Sequence, residues 1–240
     1  MALKVNIALI MAGGVGERTR QDIPKQFLNV YDKPVIIYTL EAFQNHPDID
    51  AILVSCLSGW EEILIAYAKQ FNIDKLKWVI QGGSTGQETA RNGAFTLKDI
   101  CCANDIIIQH DSIRPMVSAD IISDCIVKAK KYGTGLAAMR CQETIVKTGD
   151  GISGNSLINR WEIMRVQTPQ AYKYEKFLWA HEAALENGIT DAVYTNTMMV
   201  DLGETVYFSL GSDKNLKITT LEDIDMFKAL YKTKRDEWMK

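Results

Sequence analysis

The sequence lacks an apolar segment long enough to cross a membrane, because no run approaches the roughly 18 residues that a spanning helix requires. It also lacks a strong charge of either sign, since 27 Lys and Arg residues stand against 30 Asp and Glu residues, a net charge of −3. Such a chain has no field for non-specific capture of nucleic acid, so any anion must be bound by a local basic cluster. We therefore expect neither a membrane nor a nucleic-acid partner.

Cysteine and histidine are also scarce. The five cysteines are odd in number, none forms a CxxC pair, and only three histidines accompany them, so we do not expect a zinc site. Reduced, buried thiols are typical of cytoplasmic proteins, and we predict that location. The apolar stretch MALKVNIALIMAGG near the start is short and ends in glycines instead of a cleavage site, which favours a buried strand over a signal peptide.

What the sequence does contain is an alternation of strand-like and helix-like segments. The predicted strands are residues 5–11, 51–56, 77–80, 105–109, 134–139 and 205–209. The predicted helices are 34–43, 61–71, 87–97, 119–131, 174–187, 191–199 and 221–238. This order predicts a single α/β domain over residues 1–240, with a Rossmann-like, mostly parallel sheet and helices on both faces. Residues 140–169 weaken into short β-like pieces, which we interpret as a projecting β-arm.

Ligands of such sheets bind at the carboxyl ends of the strands, so the loops there are the candidate sites. The first loop, MAGGVGERTR at 11–20, has closely spaced glycines that let backbone N–H groups approach a phosphate chain. Arg18 and Lys25 follow and can neutralise it. The loop lacks the GK[ST] of a P-loop and the third glycine of a dinucleotide fingerprint. A plain turn with a solvated basic face is the alternative.

Two further loops carry clusters of polar residues. GGSTGQET at 82–89 can hold a nucleobase and ribose through backbone and hydroxyl groups, or can simply cap the next helix. HDSIRP at 110–115 places Asp111 at a strand terminus, where it can bind Mg²⁺ or a ribose hydroxyl or can cap a turn. Arg114 in the same loop can clamp an anion, whereas we interpret His110 as structural.

Taken in order, these segments resemble one family. AGGVGERTRQDIPKQF, HDSIRP, the pair Asn159-Arg160 followed by TPQ at 168–170, and NLKIT at 215–219 are similar to the cytidylyltransferases that join CTP to polyol phosphates. The two close branches act on 2-C-methyl-D-erythritol 4-phosphate and on ribitol-5-phosphate. The resemblance runs from about residue 7 to the last helix. It implies that the acceptor phosphate attacks the α-phosphorus of CTP and releases pyrophosphate, a reaction of two positioned polyanions that needs no side-chain nucleophile.

The resemblance also implies roles for individual residues. Arg18 and Lys25 would stabilise the transition state, while Arg160 and Lys217 would grip the acceptor phosphate. Asp111, Arg114, Thr144 and Thr168 would line the acceptor side, with Asp111 near a Mg²⁺ ion carried mainly by the CTP phosphates. The residues expected to hold CTP are Met11, Ala12, Gly13, Gly14, Gly82, Gly83, Ser84, Thr85, Gly86, Gln87, Glu88, Thr89 and Ser112. In the family the arm, here about 140–166, contributes Thr144 across a subunit interface, which implies a homodimer.

The sequence departs from the family pattern at two places. Relatives usually carry an arginine where this chain has Gly86, so that cation is either missing or supplied by Arg20 or Arg91. Relatives that act on methylerythritol phosphate commonly read Thr-Asp-Glu-Ala-Ser where this chain reads TDAVY at 190–194. This altered segment favours ribitol-5-phosphate, giving CDP-ribitol for a teichoic acid or capsule polymer, over the methylerythritol substrate of isoprenoid synthesis.

Two other functions remain alternatives. A sugar-nucleotide pyrophosphorylase using UTP or GTP commonly has an Asp-x-Asp pair at the fourth strand, whereas Asp111 here is followed by Ser112. A nucleotide-binding regulatory relative without turnover is the second alternative. The presence of Arg18, Lys25, Arg160 and Lys217 together argues against it.

Overall fold

The computed structural model describes residues 5–14, 23–190 and 192–237. The strands within these ranges are β1 (Asn6–Ala12), β2 (Asn29–Val30), β3 (Lys33–Pro34), β4 (Ala51–Cys56), β5 (Leu76–Gln81), β6 (Ile106–Asp111), β7 (Thr134–Arg140), β8 (Ile145–Lys147), β9 (Ser156–Ile158), β10 (Met164–Lys173) and β11 (Phe208–Leu210). The helices are α1 (Val35–Gln44), α2 (Glu61–Gln70), α3 (Gly86–Thr96), α4 (Ala119–Tyr132), α5 (Tyr174–Glu186), α6 (Thr195–Asp201) and α7 (Leu221–Glu237). Single 3₁₀ turns form at Lys25–Phe27 and Arg160–Glu162.

The main sheet has seven strands in the order β11-β7-β10-β6-β1-β4-β5. The pairs β1–β4, β1–β6, β4–β5 and β7–β11 are parallel, and β10 alone runs antiparallel to its neighbours β6 and β7. Because β1, β4, β5 and β6 point the same way, their carboxyl ends meet at one edge of the sheet. The predicted α/β class and mostly parallel sheet are confirmed.

Helices cover both faces of this sheet, as predicted. Along β1, Ala8 and Ile10 pack with α1, α2 and α4, while Ile7 and Leu9 pack with α3, α5 and α6 on the other face. This alternation follows from the two-residue period of a strand, and burying both sets explains why β1 is a continuous apolar run. A third cluster joins Phe227 of α7 to α1 and to the loop after β6. None of the helices in the described ranges is both long enough and apolar enough to cross a membrane.

The β-arm predicted at 140–169 is too long, because β10 belongs to the main sheet. Its sequence, MRVQTPQAYK, neither alternates nor forms an apolar run, and it contains Pro169, so no strand pattern is visible. A register shift between Val166 and Gln170 absorbs the irregularity. Buried Gln170 is satisfied by hydrogen bonds with Tyr172 and with Asn196, which lets a polar side chain lie inside the sheet.

The structure contains a separate β-arm, but this arm is shorter than predicted. β8 and β9 form a separate two-stranded antiparallel sheet, with Ile145 opposite Ile158. The last strand also differs, since β11 starts three residues later than predicted. The helix predicted over 191–199 begins at Thr195 in the structure, and Asp191 lies outside the described residues.

Candidate active site

A cavity of 490 Å³ opens at the edge where the parallel strands end. Most of the residues predicted to bind CTP contribute to its wall, together with Lys25, Asp111 and Lys217. The lining residues are Met11, Gly13, Gly14, Lys25, Gln26, Leu57, Gly83, Ser84, Thr85, Gly86, Thr89, Gln109, Asp111, Ser112, Ile113, Val193, Tyr194 and Lys217. The structure thus brings together loops that are separated by more than half of the chain. Arg18 and Arg20 lie outside the described residues.

The glycines of the first two loops allow their backbones to touch. A Cβ atom on Gly82 would lie 3.0 Å from the Cα of Gly13 and 3.1 Å from the carbonyl oxygen of Cys56. A Cβ on Gly13 would meet the Thr89 hydroxyl at 3.0 Å. These positions therefore require glycine for packing, and Gly82 itself does not line the cavity. The glycine-rich pattern predicted a phosphate cradle, and part of its cause is this close loop contact.

Gln26 fastens the first loop to the 3₁₀ turn that carries Lys25. Its Nε2 donates to the carbonyl oxygens of Ala12 (2.9 Å) and Gly14 (3.0 Å). Lys25 is the first residue of this turn, lines the cavity and is only 8% exposed. A charge with so little access to water interacts more strongly with a neighbouring ion than it would in bulk water.

The second loop is held by its own side chains at the start of α3. The Thr85 Oγ1 accepts from the Glu88 N–H (3.1 Å), and the Glu88 carboxylate accepts from both N and Oγ of Ser84 at 2.6 Å. These hydrogen bonds from Ser84 lower the pKa of Glu88. Thr89 Oγ1 accepts from the Gly83 N–H at 3.0 Å. Glu88 and Thr89 thus shape the loop, and the positive end of α3 is left facing the cavity.

Gln87 faces away from the cavity. Its Nε2 donates to the carbonyl oxygen of Ile189, and its Oε1 accepts from the Ala192 N–H at 2.8 Å. The side chain is buried and does not line the cavity. Gln87, predicted to hold CTP, therefore anchors the segment that brings Val193 and Tyr194 to the opposite wall.

Asp111, at the end of β6, is the centre of a buried charge cluster. Its Oδ2 accepts from Arg114 Nε at 3.0 Å, and lies 3.2 Å from Lys217 Nζ and 3.3 Å from the Tyr194 hydroxyl. Burial raises the pKa of Asp111, but the cations Lys217 and Arg114 outweigh it and lower the pKa overall. One carboxylate faces two cations, so the cluster as a whole carries net positive charge, which suits a polyanion in the cavity.

Arg114 and Thr168 support Asp111 from outside the cavity. The second contact of Arg114 is from Nη1 to the carbonyl oxygen of Asn215 at 2.8 Å, which ties the loop after β6 to the segment before Lys217. The Asp111 N–H donates to Thr168 Oγ1 at 3.1 Å. Both side chains are buried and neither lines the cavity. Their contacts are those of positioning residues.

The arm residues are not brought to the cavity of their own chain. Thr144 and Arg160 are exposed. Arg160 Nη1 donates to the carbonyl oxygen of Gln142 at 2.9 Å, and its guanidinium lies 5.0 Å from the ring centroid of Trp161. The structure therefore unites Lys25 with Lys217 but leaves Arg160 apart.

Comparison with known proteins identifies the family. Residues 6–232 match the family model described as IspD: 2-C-methyl-D-erythritol 4-phosphate cytidylyltransferase. The chain belongs to this family. It is therefore a nucleotidyltransferase of the cytidylyltransferase class, for which CTP is a substrate, and the resemblance stated from the sequence is confirmed.

Individual relatives cover nearly the whole chain. A ribitol-5-phosphate cytidylyltransferase from Lacticaseibacillus paracasei is 46% identical over 229 residues, covering 95% of this chain and 98% of the relative. A 2-C-methyl-D-erythritol 4-phosphate cytidylyltransferase from Clostridium novyi is 38% identical over 232 residues, covering 94% and 96%. The solved 4-diphosphocytidyl-2C-methyl-D-erythritol synthase from Anaerococcus prevotii has a TM-score of 0.81 at 22% identity, covering 95% of this chain and 96% of that chain, and shows that the fold is shared.

A cytidylyltransferase of this kind holds two phosphorylated substrates, and the described residues allow only a minimal metal site. No cluster of three or more His, Cys, Asp or Glu side chains that could hold a metal ion occurs within residues 5–14, 23–190 and 192–237. Of the residues that the structure describes, Asp111 is the single carboxylate in the cavity wall, and its Oδ2 is already engaged by three groups. This donor set fits Mg²⁺ bound mainly by substrate phosphates, with at most one protein carboxylate.

Sequence reasoning missed Tyr194, which lines the cavity and contacts both Asp111 and Lys217. The segment was noticed only as a departure from the family pattern. It lies in an irregular stretch before α6, where no periodicity indicates which side chain points inward. A tyrosine replacing a small residue beside a predicted site was the available signal.

Proposed function

We propose that this cytidylyltransferase joins CMP to D-ribitol-5-phosphate, with CDP-ribitol and pyrophosphate as products. An oxygen of the acceptor phosphate bonds to the α-phosphorus of CTP, and the bond from that phosphorus to the bridging oxygen of the β-phosphate breaks. The leaving pyrophosphate carries away the electron pair. The acceptor phosphate is already anionic near neutral pH, so the reaction depends on positioning and on stabilising charge. The observation that carries the choice of acceptor is the 46% identity to a relative named for ribitol-5-phosphate.

Different walls of the cavity would bind different parts of the two substrates. Glycine backbone and the start of α3 would hold the CTP phosphates and sugar, while Lys25, with Arg18, would stabilise the charge that spreads over the transferring phosphorus. Lys217 would bind the acceptor phosphate from the Asp111 side. Lys25 and Lys217 line one cavity of 490 Å³, a size suited to small-molecule substrates.

Mg²⁺ would accompany CTP. Asp111 is the residue that would hold it on the protein side, and the ion would neutralise charge on the triphosphate as pyrophosphate leaves. Met11 and Ser112, which line the cavity, would bind CTP as expected from the family, whereas Gln87, Arg114 and Thr168 would position other residues. Their assignment is part of the proposal.

A homodimer would complete the site through the arm. Three apolar side chains of the arm are largely exposed, namely Ile152 (93%), Leu157 (74%) and Trp161 (68%). Large apolar side chains exposed on a hairpin are typical of a surface that is covered by another chain. A second copy would cover it and would carry Thr144 and Arg160 to the neighbouring cavity, which explains why Arg160 does not reach the cavity of its own chain.

The second candidate acceptor is 2-C-methyl-D-erythritol 4-phosphate. The family model and the Clostridium novyi relative carry that name, and the latter is 38% identical. The choice decides between a cell-wall or capsule polymer and an isoprenoid precursor. Two polyol phosphates that differ by a few hydroxyl groups differ in only a few hydrogen bonds to an enzyme. Turnover must therefore be measured with both.

The test is a turnover panel with the purified chain, CTP and Mg²⁺, following pyrophosphate release. We expect kcat/KM for ribitol-5-phosphate to exceed that for 2-C-methyl-D-erythritol 4-phosphate by at least about tenfold. UTP and GTP replace CTP in parallel arms, and EDTA is added in a further arm to test the metal. A higher kcat/KM with the methylerythritol substrate would reverse the acceptor assignment. Turnover with UTP or GTP but not CTP would overturn the nucleotide assignment. The cytoplasmic location stays a prediction.

A further inference from the structure

Tyr194 occupies a bridging place that the proposed roles do not explain. Its hydroxyl accepts a hydrogen bond from Lys217 Nζ at 2.5 Å and donates to Asp111 Oδ2 at 3.3 Å. Lys217 also pairs with Asp111 directly at 3.2 Å, so the three groups form a closed triangle on the cavity wall. We propose that Tyr194 is a positioning residue that holds the Lys217 ammonium where the acceptor phosphate binds. This inference rests on the proposed function.

Lysine needs such a partner because its charge sits at the end of a flexible four-carbon chain. Asp111 alone would hold the Lys217 ammonium less firmly, because the same Oδ2 also accepts a hydrogen bond from Arg114 Nε. A neutral hydroxyl adds a fixed oxygen acceptor without adding a negative charge that would repel a phosphate. The contact is made by the hydroxyl and not by the ring face, since Nζ lies 2.5 Å from the hydroxyl oxygen and 5.1 Å from the ring centroid.

The backbone around Tyr194 is anchored without the hydroxyl. The N–H of Tyr194 donates to Thr197 Oγ1 at 3.2 Å, and the Thr197 hydroxyl donates to the Tyr194 carbonyl oxygen at 2.8 Å. Two residues earlier, Gln87 accepts from the Ala192 N–H. These contacts fix the start of α6 whether or not the ring carries a hydroxyl group. Tyr194→Phe therefore removes the bridge and leaves the fold in place.

The hydroxyl also contributes to the charge state of Lys217. Burial lowers the pKa of Lys217, but Asp111 and the Tyr194 hydroxyl outweigh it, so that the pKa is raised overall. Removing the hydroxyl removes an acceptor for the charged form. The pKa of Lys217 should then fall.

The first test is steady-state kinetics of Tyr194→Phe. We expect KM for the acceptor phosphate to rise roughly tenfold, the usual effect of losing a hydrogen bond to a charged group, with KM for CTP changed less than about twofold. In a Lys217→Ala background the same substitution should have less than about a twofold effect, because its partner is gone. The matched control is Tyr207→Phe, a tyrosine that stacks on Tyr132 outside the cavity and should change neither constant. An unchanged acceptor KM and kcat in Tyr194→Phe overturns the proposal, as does an undiminished effect in the Lys217→Ala background.

The second test does not depend on turnover. Trace acetylation with acetic anhydride over a pH series, read by mass spectrometry of the peptide that contains Lys217, reports the pKa of that amine. We expect a lower pKa in Tyr194→Phe than in the wild type and in Tyr207→Phe. An unchanged pKa overturns the link between Tyr194 and Lys217. If the wild type transfers CMP to neither polyol phosphate, the proposed function fails, while this measurement still decides whether Tyr194 holds Lys217.

Discussion

The cavity and the arm both carry basic residues, but in opposite environments. In the cavity, Lys25 is 8% exposed and Lys217 is held against buried Asp111, so both charges are placed before any substrate arrives. In the arm, Arg160 is exposed, and its contacts are with Gln142 and Trp161 of the same arm. Preorganised charge stabilises a transition state without the cost of reorganisation. The comparison indicates that Lys25 and Lys217 are positioned by the fold of a single chain, whereas Arg160 is not, which is the difference that the proposed dimer would explain.

The largest effect is expected at Lys25, a buried cation that lines the cavity. Lys25→Ala should lower kcat by roughly 10²–10³-fold, the loss typical when one donor to a developing charge is removed. Steady-state pyrophosphate release measures it, and the melting temperature should show that the variant folds. Lys98→Ala is the matched control, because Lys98 pairs with Glu182 on the surface. Near-wild-type rates in Lys25→Ala would remove this residue from the mechanism.

The next effect tests whether the arm acts on a neighbouring cavity. Arg160→Ala should lower kcat/KM for the acceptor roughly 10–100-fold through loss of a charged hydrogen bond. Mixing this variant with Lys25→Ala should then restore about a quarter of wild-type activity, because half of randomly paired dimers are mixed and each has one intact site.

Light scattering on Leu157→Asp, which places a charge among the exposed apolar side chains of the arm, should show monomers. No recovery in a mixture shown to exchange subunits would place Arg160 in the cavity of its own chain or outside the reaction.

A smaller effect tests the charge cluster itself. The folded pKa of Asp111 is lowered, so its contribution to stability is present above the unfolded value near pH 4 and is lost as pH falls through the folded value. Asp111→Asn leaves Lys217 and Arg114 without their carboxylate, so it should destabilise the protein by about 3 kcal/mol at neutral pH, with the gap to wild type closing in acid. Thermal unfolding over a pH series measures this gap. Asp213→Asn, in an exposed ion pair with Arg165, should show almost none. A gap that grows in acid would contradict the assignment.

The smallest effect concerns the loop that caps α3. Thr85→Ala should cost about 1 kcal/mol of stability, since its hydroxyl satisfies the Glu88 N–H. Because this loop lines the cavity, KM for CTP should rise as well. Ser118→Ala removes the equivalent cap of α4, outside the cavity, and should lower stability without changing that KM. Equal KM values in the two variants would separate the loop from CTP binding.

Regular patterns were readable from the sequence where one physical requirement dominates. β1, β4 and β6 were predicted because strands buried on both faces must be apolar throughout. Asp111 and the first glycine loop were predicted as site residues because they stand at the ends of such strands, and the second glycine loop because it follows the strand at residues 77–80. β10 escaped prediction, since its polar residues are satisfied by partners from other elements, such as Asn196 for Gln170. That Tyr194 lines the cavity was not predicted either, because its polar partners likewise come from other elements of the fold.

The order of apolar strands, helices and glycine loops was sufficient by itself to predict the fold class, the family and the edge of the sheet where the cavity lies. Only the tertiary structure decided that Gln87, Arg114 and Thr168 point away from the cavity, and that Tyr194 points into it. The physical reason is that periodic burial is a local property of the chain. The direction of a polar side chain depends on which distant donor or acceptor folding places within about 3 Å of it.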